Sequence, residues 1–253
     1  MKITSFGGTD PGKRRNNNED AYLLDDKLFL YAVADGIGGN EGGEVASRIA
    51  VDTLAETMPD LLGDADRTPP LEVDHNADPR FSALRQAITL ANRRIRMARS
   101  QDPRLSNMGT TLTILLQRRK HAVVANVGDS RAYLLRQNEF RQLTLDHSFV
   151  AEYVASGLLT PEEARSSPYR HVITRAVGID DAVRPDFTDY ALQQDDRILL
   201  CTDGLTEMVG DSEIGRILAE STPKDVVQKL LSEANDRGGV DNITAVVVWI
   251  NEI

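Results

Sequence analysis

The chain has 253 residues, 41% hydrophobic and 27% charged, a mix ordinary for a globular protein with a substantial core. Its 29 Lys and Arg against 39 Asp and Glu leave a net charge of −10, which argues against nucleic acid or an anionic membrane as partner of the whole surface. No apolar run reaches the roughly 18–20 residues that span a bilayer, no charged-then-apolar leader opens the chain, and the one cysteine, Cys201, permits no internal disulfide, so a cytoplasmic location is expected.

In chain order, short apolar or alternating runs at 3–7, 21–24 and 29–34, ended by Gly or Asp, predict strands. A helix is expected over about 43–58, with Val45, Ile49, Val51, Leu54 and Ala55 near helical spacing and Pro59 as its stop. Residues 60–80, rich in Asp, Pro, His and Asn, read as an exposed inserted loop. A second helix follows over about 79–100. Phe81, Leu84, Ile88, Ala91 and Ile95 form its apolar stripe, and Arg85, Arg93, Arg94, Arg96 and Arg99 a face expected to be solvated. Strands are expected at 110–116, 122–127 and 131–135, then a turn at Asn138 and a strand at 140–143. Residues 147–180 read as irregular, with short helices at 148–156 and 161–165. Strands resume at 186–192 and 197–202, helices follow at 212–220 and 223–236, and an apolar strand covers 243–250. Strands do not alternate with helices, which excludes a Rossmann or TIM plan. Pairs of helices between groups of antiparallel strands suggest two sheets with helices covering them.

Several chemistries are absent. Cys201 has Glu207 six residues on, so the Cys-x5-Arg loop of cysteine phosphatases is missing and a buried structural thiol is expected. There is no G-x-x-x-x-G-K-[ST] loop, and the glycines at 36, 38 and 39 depart from a dinucleotide fingerprint at Glu41. The four histidines, at 75, 121, 147 and 171, show no His-x-x-x-His pair, so a His/Cys zinc site is poorly supported.

Oxygen ligands remain. Asp35 ends an uncharged strand and is followed by glycines, Asp203 repeats the pattern after 198–201, and Asp241 stands just before the last strand. Each alone reads as a turn. Together they point to carboxylates converging on a cation, since converging carboxylates repel one another unless a cation compensates. The stretch 10–20 adds Arg15, whose planar fork suits phosphate, and the adjacent carboxylates Glu19 and Asp20.

The motifs Asp10-x-Gly12-x-x-Arg15-x-x-Asn18-Glu19-Asp20, Asp35-Gly36-x-Gly38-Gly39, Met108-Gly109-Thr110-Thr111, Val127-Gly128-Asp129-Ser130-Arg131, Asp146-His147-Ser148, Thr174-Arg175-Ala176-Val177-Gly178, Thr202-Asp203-Gly204-Leu205 and Asp241-Asn242-Ile243-Thr244 run nearly end to end. In order and spacing they resemble the metal-dependent protein serine/threonine phosphatases of the type 2C, or PPM, family, in its compact bacterial form. The resemblance implies an α+β fold, a four-layer α-β-β-α sandwich of two antiparallel sheets flanked by helix pairs. One phosphatase domain over 1–253 is implied, with a variable flap at about 147–185 beside the site. Asp35 would bridge two Mn²⁺ or Mg²⁺ ions, with the Gly36 carbonyl, Asp203 and Asp241 as further ligands. Glu19 and Asp20 would act through coordinated water. Asp129 and Asp203 are the matching candidates for a third ion. Arg15 would hold the phosphate. Ile37 stands where many eukaryotic relatives carry a histidine, so Asp129 through a bound water, or His147, is the expected proton source. Phosphoserine and phosphothreonine proteins are the implied substrates, a cognate serine/threonine kinase the implied partner, and a monomer the expected state. A non-catalytic phosphoprotein-binding module on the same fold, or another two-metal phosphoesterase, is the alternative.

Overall fold

The computed structural model describes residues 2–38, 42–63 and 78–252. In chain order its elements are β1 (Lys2–Asp10), β2 (Asp20–Asp25), β3 (Leu30–Ile37), α1 (Gly42–Gly63), α2 (Pro79–Gln101), β4 (Gly109–Thr110), β5 (Leu112–Arg118), β6 (His121–Val127), β7 (Arg131–Arg136), β8 (Glu139–Gln142), α3 (Phe149–Ala155), α4 (Pro161–Ser166), β9 (Asp186–Ala191), β10 (Arg197–Cys201), α5 (Asp203–Thr206), α6 (Asp211–Glu220), α7 (Pro223–Asp236) and β11 (Ile243–Glu252). One sheet runs β1-β11-β10-β7-β8 and the other β2-β3-β5-β6-β9, with β4 added to β3.

The four layers follow from how each central strand divides its side chains. Successive residues of a strand face opposite ways. On β3, Leu30, Ala32 and Ala34 pack under α1 and α2, whereas Tyr31 and Val33 face the other sheet. On β11, Ile243, Ala245 and Val247 pack under α6 and α7, whereas Val246, Val248 and Ile250 meet the facing sheet. Strands buried on both faces must be apolar throughout, which is why these segments read as runs rather than alternations. The result is the expected four-layer sandwich of antiparallel sheets and helix pairs. Cys201 is fully buried in the layer beneath α6 and α7, where burial pushes its thiol pKa up, as suits a structural residue.

Local chemistry explains most boundaries. Pro79 opens α2 behind the Asp78 cap, whose carboxylate accepts from Arg80 N–H at 2.9 Å. The β7–β8 hairpin turns at Gln137 and Asn138, both with positive φ (50° and 68°), between the paired Arg136 and Glu139, as a two-residue turn of this hand requires. Thr160 and Glu163 close a capping box on α4.

Three expectations need correction. Pro59 does not stop α1, which runs on to Gly63 and takes the first residues of the expected 60–80 loop. Met58 and Leu62 are buried against the core on either side of it, and that packing outweighs the missing N–H. Residues 64–77 of the loop lie outside the described residues. The arginine face of α2 is not simply solvated. Arg94 pairs with Glu56 at 2.6 Å, Arg96 pairs with Asp181, and Arg99 donates to the carbonyls of Gly178, Ile179 and Ser106. The strand expected over 110–116 is broken at Thr111, which leaves β5 to give its backbone and hydroxyl to Asp35. Among the described residues no helix is long and apolar enough to cross a membrane.

Pro59 is exposed, so Pro59→Ala should restore a helical hydrogen bond at no packing cost. Urea unfolding of that variant should show a gain of about 1–3 kcal/mol; a loss would mean the proline shapes the helix in a way the core requires.

Candidate metal centre

The two sheets bring their acidic ends to one place. Asp35 lies opposite Asp20 in the β2–β3 pair. In the other sheet β10 ends at Cys201, Thr202 caps α5, and Asp203 is the first residue of that short helix. Asp241 stands just ahead of β11, which neighbours β10. Asp129 sits on the β6–β7 turn. Asp20 joins the sheets: its Oδ2 accepts from Thr202 Oγ1 at 2.9 Å and Thr244 Oγ1 at 2.6 Å.

Close backbone approach makes this possible. A Cβ on Gly36 would run into the Gly43 carbonyl, and Gly36 N–H donates to the Glu19 carbonyl at 3.1 Å. A Cβ on Gly204 would strike the Asn242 carbonyl. Only glycine fits either place. Gly39 of the Asp35-Gly36-x-Gly38-Gly39 motif lies outside the described residues. Asn242 ties down the 11–19 loop: its Nδ2 donates to the carbonyls of Pro11 (3.0 Å) and Asn17 (2.9 Å), and its Oδ1 accepts from Glu19 N–H at 2.8 Å. Asp35 is held through its main chain. Its N–H donates to Thr111 Oγ1 at 2.9 Å, and its carbonyl accepts from Thr111 N–H (2.9 Å) and Thr110 Oγ1 (2.8 Å).

The electrostatics mark the convergence. Burial first, then repulsion among the group, pushes the carboxyls of Asp35 and Asp129 well above the usual carboxylate range. For Asp20 burial likewise outweighs the bonds from Thr244 and Thr202, and for Asp203 it acts together with Glu207. Glu19 is raised mainly by burial. Asp35 and Asp203 are close enough to share a hydrogen bond. Asp20 Oδ1 and Asp203 Oδ1 are buried with no hydrogen-bond partner among the described residues. Orphaned anionic oxygens of this kind are costly, and an all-oxygen acidic donor set is what Mg²⁺ and Mn²⁺ favour. The residues therefore fit the divalent ions that the sequence implies.

Arg15 reaches the same place. Its Nη2 bonds to Asp241 Oδ2 at 2.7 Å, which raises its pKa, and its other guanidinium donors have no partner among the described residues. His147 does not stand ready as an acid. It is buried, its Nδ1 accepts from Gly128 N–H at 3.1 Å, and its Nε2 pairs with Asp186 at 3.0 Å. The imidazole beside the carboxylates belongs instead to His171. Its Nδ1 lies 2.6 Å from Glu207 Oε1, and His171, Glu207 and Asp203 offer ligand atoms within 4.8 Å of one another. Sequence reasoning passed over His171 and Glu207 because the pair forms only when the 147–185 segment folds back. It also passed over the roles of Asn242, Thr202 and Thr244, which the motifs contained.

The family described as Protein phosphatase 2C matches residues 8–243. The chain belongs to that family. Among its type 2C relatives, protein phosphatase PhpP of Streptococcus pneumoniae is 37% identical over 248 residues, 96% of each chain. The crystal structure of the Mycobacterium tuberculosis serine/threonine phosphatase PstP/Ppp superimposes with a TM-score of 0.87 at 35% identity, covering 99% of both chains. The catalytic domain of PstP in complex with two manganese ions superimposes with a TM-score of 0.83 at 34% identity, again over 99% of both chains. The four-layer sandwich is thus that of type 2C phosphatases.

The raised carboxyls set a pH dependence. A carboxyl whose folded pKa exceeds its unfolded value stabilises the fold when protonated, and that contribution is lost as pH rises through the folded value. Asp203, Asp20 and Asp129 lie at about 6, about 7 and about 8, so the loss extends to about pH 8. Asp78 and Asp186, held low chiefly by arginine and histidine partners against burial, act only in the acid range. His147, lowered by burial, opposes the trend only as pH falls through its unfolded value of 6.5. In EDTA the Tm should therefore fall between about pH 6.5 and 8, and Mn²⁺ should raise it more at the upper end. A metal-free Tm that rises over that interval would contradict the convergence.

Proposed function

We propose that this chain hydrolyses phosphoserine and phosphothreonine in proteins, with two Mn²⁺ or Mg²⁺ ions as cofactors. The observation that carries the reading is the gathering of Asp20, Asp35, Asp203 and Asp241, with two orphaned buried oxygens, beside the free donors of Arg15. Asp35, Asp203, Asp241 and the Gly36 carbonyl hold the ions. Glu19 and Asp20 act through water, and Asp20 has only Oδ1 to offer because two threonines occupy Oδ2. Asp129 and Asp203 serve a third ion. When bound, such ions lower the pKa of water and offset phosphoryl charge.

Arg15 orients the phosphate. Asp241 fixes one nitrogen of its fork, so the remaining donors are aimed before substrate arrives, and little side-chain freedom is lost on binding. His171 and Glu207 hold the flap against the site, which gives a phosphorylated segment a wall on that side. On this reading 1–253 works as one domain with 147–185 as its flap, acts as a cytoplasmic monomer, and opposes a serine/threonine kinase. A non-catalytic phosphoprotein-binding module would not need this full set of ion-binding carboxylates.

Phosphate release from a phosphothreonine peptide should require Mn²⁺ or Mg²⁺ and stop in EDTA. Asp203→Asn should abolish it, and Arg15→Ala should lower kcat/KM by roughly 10²-fold, about 2.7 kcal/mol, with little change in Tm. Release that persists in EDTA would remove the reading.

A further inference from the structure

We propose that His147 is a positioning residue that sets the Asp129 carboxylate, and that it does so as the neutral imidazole carrying its proton on Nε2. The proposal rests on the functional reading above only in taking Asp129 as an ion ligand.

Asp129 follows Gly128, and both peptide groups of Gly128 are held by the same residue. Gly128 N–H donates to His147 Nδ1 at 3.1 Å, and the Gly128 carbonyl accepts from His147 N–H at 2.9 Å. Asn126 Nδ2 adds a second bond to that carbonyl at 3.1 Å. Gly128 has a φ of +106°, and a Cβ there would collide with Thr111, whose hydroxyl supports Asp35. The turn therefore has a conformation of its own to be held in, and His147 holds it from behind. The side chain that emerges next is Asp129, which feels the charges of Asp203 and Asp35.

The tautomer follows from the donors. A backbone N–H can only donate, so Nδ1 must present a lone pair and the proton must sit on Nε2. Asp186 Oδ2, 3.0 Å from Nε2, accepts it. Arg175 Nη1 lies 3.2 Å from Nε2 but is itself a donor, and its bond goes to Asp186 Oδ1 at 2.9 Å. Histidine and arginine thus converge on one carboxylate. Burial lowers the His147 pKa, which keeps the ring in the neutral form that can accept.

His147 also closes the flap. Its carbonyl accepts from Thr174 N–H at 2.8 Å, and Phe149 N–H donates to the Val172 carbonyl at 2.8 Å, so the flap's first residues are stitched to its 172–174 stretch here. One residue therefore serves both places, its ring and N–H holding an ion-binding turn and its carbonyl the base of the segment that carries His171. Partners that orient ligands in this way typically change metal affinity by about 10–100-fold.

The test is calorimetric titration of Mn²⁺ into the full chain and its variants. Asp129→Asn should weaken or remove the weakest binding step. His147→Leu, which cannot accept the Gly128 bond, should weaken that same step by about 10-fold or more and add nothing on the Asp129→Asn background. His147→Asn places an acceptor near the position of Nδ1 and should recover affinity to within about 3-fold of the unaltered chain. Parent-like Mn²⁺ binding by His147→Leu, equal losses in the Leu and Asn variants, or losses that multiply with Asp129→Asn would each overturn the proposal. If the variants fail to fold, ¹H–¹⁵N spectra of the unaltered chain still decide the matter, because a His147 proton on Nδ1 is incompatible with it. Failure of the functional reading shows itself separately, as absence of Mn²⁺-dependent phosphate release by the unaltered chain.

Discussion

Like charges brought together out of water are the constraint on which the rest of this structure depends. Asp20, Asp35, Asp129 and Asp203 each lose hydration, and Asp20, Asp129 and Asp203 each make ionisation harder for at least one other member. A fold that only had to be stable would not collect them. The same arrangement becomes favourable once divalent cations are present, since the cations replace both the lost water and the lost counter-charge. The stability of this end of the sandwich and its chemistry are therefore one problem.

The scaffold answers it with neutral groups rather than bases. Two threonine hydroxyls, one on β11 and one just past β10, meet Asp20, main-chain amides and hydroxyls of the 110–111 segment hold Asp35, and Asn242 fixes the 11–19 loop without adding charge. Among the described residues Arg15 is the one arginine in an ion pair with a carboxylate of the site, and it takes Asp241 at the exposed rim. Arg131, by contrast, gives its fork to Asp146 and reaches Asp129 only through space, and its contact with the Tyr133 hydroxyl carries that network toward Asp211 at the start of α6. Negative charge is thus left uncompensated at the centre and compensated around it, which is the pattern that invites a cation instead of an internal salt bridge.

Much of this was legible in the sequence. The doubly buried strands read as apolar runs, and the aspartates read as ligands because each stands at the end of such a run beside glycine or asparagine. What escaped were features that depend on tertiary contact. Pro59 looks like a stop until Met58 and Leu62 are seen buried around it. The arginines of α2 look like a wet face until the 178–181 turn is placed on them. His147 and His171 are indistinguishable as isolated letters. Folding buries one behind the Asp129 turn, with both ring nitrogens engaged, and carries the other to Glu207.

Without metal these carboxylates hold protons that bound metal must displace. Calorimetric titration of Mn²⁺ at pH 7, repeated in buffers of different ionisation enthalpy, counts the protons released per protein. Net release of about one proton or more is expected, because groups raised toward neutrality must ionise to bind. Binding of Mn²⁺ with no proton release would mean that the carboxylates are already ionised and well separated, and would contradict it.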